Sequence, residues 1–179
     1  GAFTVWLFYR DHFDRTEDSD AQLACFSTAP AIRNLPLNFV SEMIGTFVLI
    51  FVILYIAEPS LSLGASEEAK LGLGTLGALP VALLVTAIGL SLGGTTGYAI
   101  NPARDFGPRI AHALLPIDGK GTSDWAYAWV PIAGPIVGGM TGTLFYKAMF
   151  ANQFGATFWV FSLLSVGIIV YSVVYKKKL

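Results

Sequence analysis

Long apolar stretches separated by short polar ones run through this sequence. Residues 37–57, 71–92, 125–146 and 154–175 are each long enough to cross a bilayer, and Glu42 is the only charged residue within them. About 20 helical residues span the hydrocarbon core. Residues 1–9 are also apolar but too short to cross, so we interpret them as the end of a membrane helix, with a signal-peptide remnant as the alternative. The pattern predicts an all-α integral membrane protein.

The connecting segments differ in character. Residues 10–20 are predicted to form a polar loop in which acidic residues outnumber basic ones, which weakly favours an outside location. Pro30 and Pro36 interrupt any helix before the 37–57 span. Residues 58–70 are predicted to form a second polar loop, and Lys176–Lys178 follow the last apolar stretch.

A short helix is predicted to begin at Asn101. Asparagine is a strong N-cap, Pro102 suits the first helical position because it has no N–H to leave unpaired, and Asp105 falls in the first turn, where the helix dipole favours an anion. Pro116 and the polar residues after it end the pattern after about three turns, half of a membrane span. These features indicate a re-entrant element whose start lines a cavity.

Glycines mark two further features. Residues 91–97 are too rich in glycine and threonine to stay helical, and non-helical backbone at membrane depth survives where it is buried or lines water, so its carbonyls are candidate acceptors for a solute. Gly134, Gly138 and Gly142 recur every fourth residue, which predicts a closely packed membrane helix face. At the start of that helix, Trp125, Tyr127 and Trp129 are predicted to form an interfacial belt.

Composition supports the membrane class and excludes others. Hydrophobic residues make up 54% and charged residues 13% of the 179, and the net charge of -1 gives no reason to expect a nucleic-acid partner. Cys25 is the only cysteine, so no disulfide can form within the chain. His12 and His112 have no partners at metal-ligand spacing, and no Ser/His/Asp set is visible, so neither a metal, a cofactor nor enzyme chemistry is expected.

The run from Asn101 to Arg109, which follows Gly97-Tyr98-Ala99-Ile100, resembles the second Asn-Pro-Ala half-helix of the major intrinsic proteins, specifically of the glycerol facilitators. The resemblance covers residues 1–153 and implies the C-terminal half of an aquaporin-like bundle. That half comprises the end of span 3, spans 4–6 and a re-entrant half-helix at residues 101–115. Residues 154–179 lie outside this pattern, and we assign them no role in transport.

The resemblance also implies site residues. Arg104, Tyr98 and Gly89 correspond to the selectivity filter, where Arg104 supplies a fixed cation and N–H donors. The facilitators usually have phenylalanine where this chain has Tyr98, which leaves the preferred solute open. The Asn-Pro-Ala motif is Asn101, Pro102 and Ala103, and the pore-lining backbone is that of Gly97 and Ala99.

Further residues are implied to support or identify the channel. Glu42 corresponds to a glutamate that holds the backbone of a pore loop, with a carboxylate near the lipid interface as the alternative. The features typical of the glycerol branch are Asp105, Arg109, Pro131 and Ile132. Asp105 and Arg109, four residues apart, can pair along the helix, which on an exposed face is worth about 0.2–0.5 kcal/mol.

These expectations together describe a multi-pass plasma-membrane channel for facilitated diffusion of glycerol and other small neutral solutes. The resemblance implies a homotetramer in a lipid bilayer, without a cofactor. The alternatives are a channel for water or for a neutral solute such as undissociated lactic acid, and a non-conducting membrane subunit.

Overall fold

The computed structural model describes residues 1–56, 60–62, 68–70 and 74–175. Parts of the predicted 58–70 loop, the start of the predicted 71–92 span and the Lys176–Lys178 tail therefore lie outside the described residues. The helices are α1 (Ala2–Phe8), α2 (Arg10–Phe13), α3 (Ser19–Ala24), α4 (Leu35–Tyr55), α5 (Leu79–Leu92), α6 (Pro102–Leu114), α7 (Trp125–Ala151) and α8 (Ala156–Val174). A 3-10 helix at Gly74–Ala78 precedes α5, and two strands, β1 (Ser60–Ser62) and β2 (Glu68–Lys70), pair antiparallel. Apart from that strand pair, the regular structure in the described ranges is helical, as expected.

Three helices are long and apolar enough to cross a membrane: α4, α7 and α8. The predicted span over residues 71–92 is described from residue 74 onward, where a 3-10 helix leads into an α-helix that begins at Leu79. The backbone of Gly74 has a φ of +53°, which is left-handed and incompatible with an α-helix. Pro80 lies in the first turn of α5, where its missing N–H leaves no hydrogen bond unmade.

Among the described elements, helices α4 and α7 form the most extensive helix pair. A Cβ added to Gly138 would lie 2.1 Å from the backbone oxygen of Met43, and one on Gly142 would lie 2.8 Å from that of Phe47. At Gly134 the nearest atom would be the Cβ of Glu42, at 2.9 Å. The predicted close-packed face at these three glycines is thus confirmed, and α4 is the helix that packs on it.

Helix α8 packs against both α4 and α7. The hydroxyls of Thr141 in α7 and Ser165 in α8 lie 3.0 Å apart and share a hydrogen bond. Near the other end of α8, Ser172 donates a hydrogen bond of 3.1 Å to the carbonyl of Pro36. Since Pro36 lies in the first turn of α4, the C-terminal end of α8 lies on the same side of the bundle as the start of α4.

The segment before α4 contains short helices where residues 10–20 are predicted to form a polar loop. It contains α2 and α3, and the Asp18 carboxylate caps α3 by accepting hydrogen bonds from the amides of Asp20 and Ala21. An apolar cluster joins this segment to the end of α6; its buried members are Trp6, Phe13, Phe26, Leu115 and Ile117. Phe13 of α2 enters this cluster, and Phe26 enters it two residues after the end of α3, so the segment is anchored by aromatic residues that its polar composition does not reveal.

The expected aromatic belt at the start of α7 is only partly correct. Trp125 and Trp129 are exposed on one face of the helix, but Tyr127 is completely buried. The cause is helical periodicity, since residues four apart share a face whereas a residue two positions on points the other way. Tyr127 instead packs into a core with Phe39, Met43 and Val130.

Candidate solute pathway

The start of α6 is built around Asn101. Its backbone is extended, and its side-chain oxygen accepts hydrogen bonds from the amides of Ala103 (2.9 Å) and Arg104 (3.2 Å). Pro102 is the first helical residue, as its lack of an N–H favours. Because the oxygen of Asn101 faces the helix, its amide NH2 group remains available at the exposed side of the residue.

The segment that leads into α6 has an irregular backbone. Helix α5 ends at Leu92, turns follow to Thr96, and Gly97, Tyr98 and Ile100 have φ values of +75°, +40° and +41°. Left-handed backbone is disfavoured for tyrosine and strongly so for β-branched isoleucine, so the surrounding structure must hold it. Within the described residues, the carbonyls of Gly97, Tyr98 and Ala99 accept no hydrogen bond.

Glu42 holds this segment from the side of α4. Its carboxylate is fully buried and accepts hydrogen bonds from the amides of Ala99 (3.0 Å) and Ile100 (2.7 Å). A buried carboxylate is stable when hydrogen-bond donors replace its hydration, and these two amides do so. The two contacts fix the backbone orientation immediately before Asn101.

Tyr98 and Gly89 lie against each other. A Cβ on Gly89 would approach the Cζ of Tyr98 to 2.9 Å, and one on Gly93 would approach its Cδ1 to 2.6 Å. The ring therefore rests on Gly89, in the last turn of α5, and on Gly93, which follows its last residue. Tyr98 nevertheless remains 41% exposed. A larger residue at position 89 requires the ring to move.

Arg104 lies in the first turn of α6 and is exposed. Its guanidinium makes no hydrogen bond or ion pair with the described part of the chain. Asn101 and Pro102 line an open groove of about 480 Å³ between α4 and α7. The remaining lining residues are mainly apolar and include two threonines: Thr46, Leu49, Ile50, Ile100, Pro135, Ile136, Gly139, Met140 and Thr143.

Asp105 and Arg109 do pair, but the low value expected for an exposed pair does not apply. Both side chains are fully buried, and the guanidinium contacts both carboxylate oxygens, with Nε–Oδ1 at 2.8 Å and Nη2–Oδ2 at 3.1 Å. The apolar residues of α6, such as Phe106 and Leu114, are instead exposed. The polar face of this helix is the one that packs on protein, which an exposed-face estimate does not anticipate.

The pair binds three segments of the chain together. Asp105 accepts hydrogen bonds from the backbone amide (2.8 Å) and the hydroxyl (2.7 Å) of Thr28. Arg109 donates to the carbonyl of Thr28 (2.9 Å) and to those of Ser123 (2.8 Å) and Asp124 (3.1 Å). Thr28 could not be identified from the sequence, because a threonine 77 positions from its partner carries no local signal.

Lys120 is a second residue whose role emerges from the structure. Its ammonium donates hydrogen bonds to the carbonyls of His112 (2.9 Å), Ala113 (2.8 Å) and Leu115 at the end of α6. A cation there satisfies the last carbonyls and complements the helix dipole. Gly119 and Gly121, with φ values of +70° and +64°, turn the chain back. A lysine between two glycines shortly after a helix end is a signal that could have identified it.

The other predicted residues are placed as follows. Pro131 is fully buried and Ile132 half-buried in the first part of α7. Gly97 is half-buried and Ala99 is 1% exposed, with its amide bound to Glu42. Ala103 is exposed beside Arg104. The structure thus brings Gly89 to Tyr98 and Glu42 to Ala99, and it places Asp105 and Arg109 on the protein side of α6, away from the exposed Arg104.

The histidines and the cysteine form no centre. His112 is buried, and its Nδ1 lies 2.9 Å from the hydroxyl of Ser123. Within residues 1–56, 60–62, 68–70 and 74–175, no group of three His, Cys, Asp or Glu residues is placed to hold a metal ion. Cys25 is an exposed free thiol.

Comparison with known proteins adds to this geometry. The sequence profile of the family described as "Major intrinsic protein" matches residues 1–146. The chain is 49% identical over 177 residues to "Glycerol uptake facilitator protein" of Bacillus subtilis, a match that covers 99% of this chain and 61% of the relative. It is 54% identical over 149 residues to "Glycerol uptake facilitator protein 3" of Lactiplantibacillus plantarum, with 83% and 58% covered.

A third relative, "Probable glycerol uptake facilitator protein" of Thermotoga maritima, is 52% identical over 150 residues, with 84% of this chain and 59% of the relative covered. The chain therefore spans about 60% of the length of these curated relatives. The match to the Bacillus subtilis protein extends over nearly the whole chain and so includes α8, which lies beyond the residues matched by the family profile.

Proposed function

The chain belongs to the major intrinsic protein family, and from this premise we propose that it forms part of a channel through which glycerol and similar small neutral solutes cross the plasma membrane by facilitated diffusion. The family consists of membrane channels, not enzymes, and the three membrane-length helices make this chain a multi-pass membrane protein. Glycerol is the solute because the most similar relatives named above are described as glycerol uptake facilitators.

One observation carries the proposal: donors and acceptors for a polyol are exposed side by side. Asn101 presents its amide NH2 beside the start of α6, because its oxygen is occupied by two helix amides. The carbonyls of Gly97 and Tyr98, which lie a few residues before Asn101, accept no hydrogen bond from the described residues, and neither residue is fully buried. A glycerol hydroxyl both donates and accepts, so it can exchange its hydration for these groups in turn.

Arg104 and the helix start provide the selection against cations. The exposed guanidinium is always charged and offers several N–H donors to a solute oxygen. The helix dipole adds a partial positive charge at the same end. Both repel protons and metal cations while leaving neutral solutes unaffected.

Tyr98 supplies an apolar wall for the carbon chain of the solute. Its ring rests on Gly89 and remains 41% exposed, and the hydroxyl at its edge adds a polar group. Gly89 therefore acts through the position of the ring, in addition to leaving room at its own Cα.

Helix α6 enters the membrane without crossing it, and the chain is the C-terminal half of the channel. At 13 residues α6 is about 20 Å long, too short to span a bilayer. Its buried polar face packs on α7 and on the segment around Thr28, which lets an irregular backbone exist at membrane depth. The complete channel assembles as a homotetramer, as the family resemblance implies.

Stopped-flow light scattering on proteoliposomes tests this function. The chain is reconstituted as it stands and, in parallel, joined behind the N-terminal part of the Bacillus subtilis relative. We expect glycerol entry well above that of empty liposomes for the joined protein. Arg104→Ala is expected to raise leakage of cations, because the fixed positive charge is removed, and Tyr98→Phe is expected to shift the ratio of glycerol to water flux.

Each outcome of this experiment decides between functions. A joined protein that inserts and runs as one species but passes only water refutes the glycerol assignment. Passage of nothing at all favours the non-conducting subunit. Glu17→Gln, an exposed change outside the pathway, is the matched control and is expected to leave every rate unchanged.

A further inference from the structure

The segment at residues 26–31 is fastened to the backbone that presents the solute-binding carbonyls. Its central residue, Thr28, is 6% exposed, and all three of its hydrogen-bonding groups are engaged. The amide and the hydroxyl donate to Asp105, and the carbonyl accepts from Arg109. A threonine held at every polar atom by a buried ion pair is fixed in position and orientation.

This segment also touches the irregular backbone directly. A Cβ on Gly97 would lie 3.4 Å from the Cβ and Cγ2 of Thr28, so the methyl of the threonine covers the Cα of Gly97. Three residues after Thr28, the amide of Ala31 donates a 3.1 Å hydrogen bond to the carbonyl of Thr95. Residues 95–97 are therefore positioned by residues 28–31 on one side, while Glu42 holds Ala99 and Ile100 on the other.

Tyr98 lies between these two attachments. Its φ of +40° is a strained value, and such a residue keeps it only when its neighbours are fixed on both sides. One side is the buried Glu42. The other side is held by the contacts of Thr28 and Ala31, together with a 2.9 Å hydrogen bond from the amide of Gly97 to the carbonyl of Gly93, because glycine imposes no backbone preference of its own.

We propose that Thr28, locked by the buried Asp105–Arg109 pair, is a positioning residue that sets the place of the Tyr98 ring and thereby the balance between glycerol and water flux. The proposal rests on the function proposed above. Thr28 does not contact the solute; it acts through Gly97 and Tyr98. Loss of its hydroxyl leaves Asp105 one hydrogen bond short and loosens the attachment of residues 28–31 to residues 95–97.

Three variants separate this role from a general effect on folding. Thr28→Val keeps the shape but removes the hydroxyl, and Thr28→Ser keeps the hydroxyl. Ser27→Ala is the matched control, because the neighbouring Ser27 hydroxyl is also buried but has no hydrogen-bond partner among the described residues. The first readout is the rate of hydrogen exchange at the Ala31 amide, measured in detergent. This amide exchanges only when its hydrogen bond to the carbonyl of Thr95 opens, so the rate reports how firmly the two segments are attached.

We expect Thr28→Val to speed exchange at Ala31 by about tenfold, as loss of a hydrogen bond to a charged group implies, and Thr28→Ser and Ser27→Ala to keep the parent rate. The second readout is the ratio of glycerol to water permeability in proteoliposomes of the joined protein. Thr28→Val is expected to lower this ratio, with Thr28→Ser restoring it. A purely structural defect lowers both rates together and leaves the ratio unchanged, which overturns the proposal.

Failure of the proposed function is distinguishable from failure of this inference. If the parent passes no glycerol, the glycerol function is refuted, and exchange at Ala31 still decides whether Thr28 positions the segment. Unchanged exchange in Thr28→Val overturns the inference whatever the flux. Equal acceleration in Thr28→Val and Thr28→Ser also overturns it, because the hydroxyl is then not the cause.

Discussion

Helix α7 makes two contacts of opposite chemistry. One is with α4, and the other joins the residues at its start to Arg109 of α6. Against α4 it presents Gly134, Gly138 and Gly142, and backbone meets backbone with no room for a methyl group. At its N-terminal end, the carbonyls of Ser123 and Asp124 accept hydrogen bonds from the buried guanidinium of Arg109. Shape determines the first contact, and charge and hydrogen bonds determine the second.

The difference reflects what each region has to do in a membrane. Helices in lipid gain little from burying apolar surface, so close approach through small residues stabilises the α4–α7 pair. In the proposed channel, the start of α6 and the irregular backbone before it instead expose polar atoms to a solute, which requires the other polar groups there to be satisfied by protein. Glu42 lies where the regions meet, with its Cβ against Gly134 and its carboxylate on the amides of Ala99 and Ile100.

The largest loss of stability is expected when a methyl group is added between α4 and α7. Gly138→Ala places a Cβ 2.1 Å from the carbonyl oxygen of Met43, which is backbone and cannot rotate away. We expect a loss of more than about 3 kcal/mol in the free energy of unfolding, at or beyond the upper end for overpacking. Unfolding in mixed micelles measures it.

The adjacent glycine provides the control for this substitution. Gly139→Ala has the same change in helix propensity, but its Cβ would lie 3.6 Å from the nearest atom, Cγ1 of Ile50, an ordinary contact. The midpoint denaturant concentration for unfolding of this variant is expected to equal that of the parent protein. Equal destabilisation by the two alanines would contradict the packing described for α4 and α7.

The next largest loss of stability is expected when the buried ion pair of Asp105 and Arg109 is broken. Arg109→Met leaves the Asp105 carboxylate fully buried without its cation, and breaking such a pair costs about 3–5 kcal/mol. Adding Asp105→Asn is expected to recover part of that loss, because the unpaired charge is removed. A double-mutant cycle on the free energy of unfolding measures the coupling, and a value of about 0.2–0.5 kcal/mol, typical of an exposed pair, would show that the pair is not buried.

Glu42→Gln tests the link between the two regions. Glutamine keeps one acceptor oxygen but turns an NH2 group toward one of the two amides, so one charge-assisted hydrogen bond of about 1.5–3 kcal/mol is lost. We expect lower stability and lower glycerol flux in the joined protein. If the variant loses stability as predicted but passes glycerol at the same rate as the parent, the carboxylate does not shape the pathway.

The smallest effect is expected at the contact with α8. Thr141→Val removes the hydrogen bond to Ser165, and such interhelical bonds average about 0.6 kcal/mol in membrane proteins. Glycerol flux is expected to remain unchanged, since the bond joins α8 to α7 and includes none of the residues assigned to the solute pathway. The cycle with Ser165→Ala isolates this bond, and a coupling near zero would indicate that the two hydroxyls do not meet.

The sequence was informative wherever one local rule decided the outcome. Asn101 followed by Pro102 has the chemistry of a helix start, and α6 begins there. Three glycines at a spacing of four could only bring helices close, although the identity of the partner, α4, required the structure. Both features depend on residues within a few positions of each other.

Features that depend on distant residues could not be read in this way. Nothing around Thr28 indicates that it contacts Asp105, and without Thr28 the Asp105–Arg109 pair is indistinguishable from an exposed one. The change from a 3-10 helix to α5 at Leu79 could not be read from the sequence either, because apolar composition does not reveal the left-handed backbone of Gly74. Tyr127 was assigned to the belt on its type, whereas helical periodicity buries it.

The central claim is that solute passes the exposed start of α6. Ala103, exposed beside Asn101 and Arg104, can be changed to cysteine in a Cys25→Ser background and reacted with a small methanethiosulfonate reagent. Glycerol entry into the same proteoliposomes is then measured before and after reaction. The account predicts that Ala103→Cys conducts until the reagent blocks it and that glycerol slows the reaction; complete labelling with undiminished glycerol entry would contradict it.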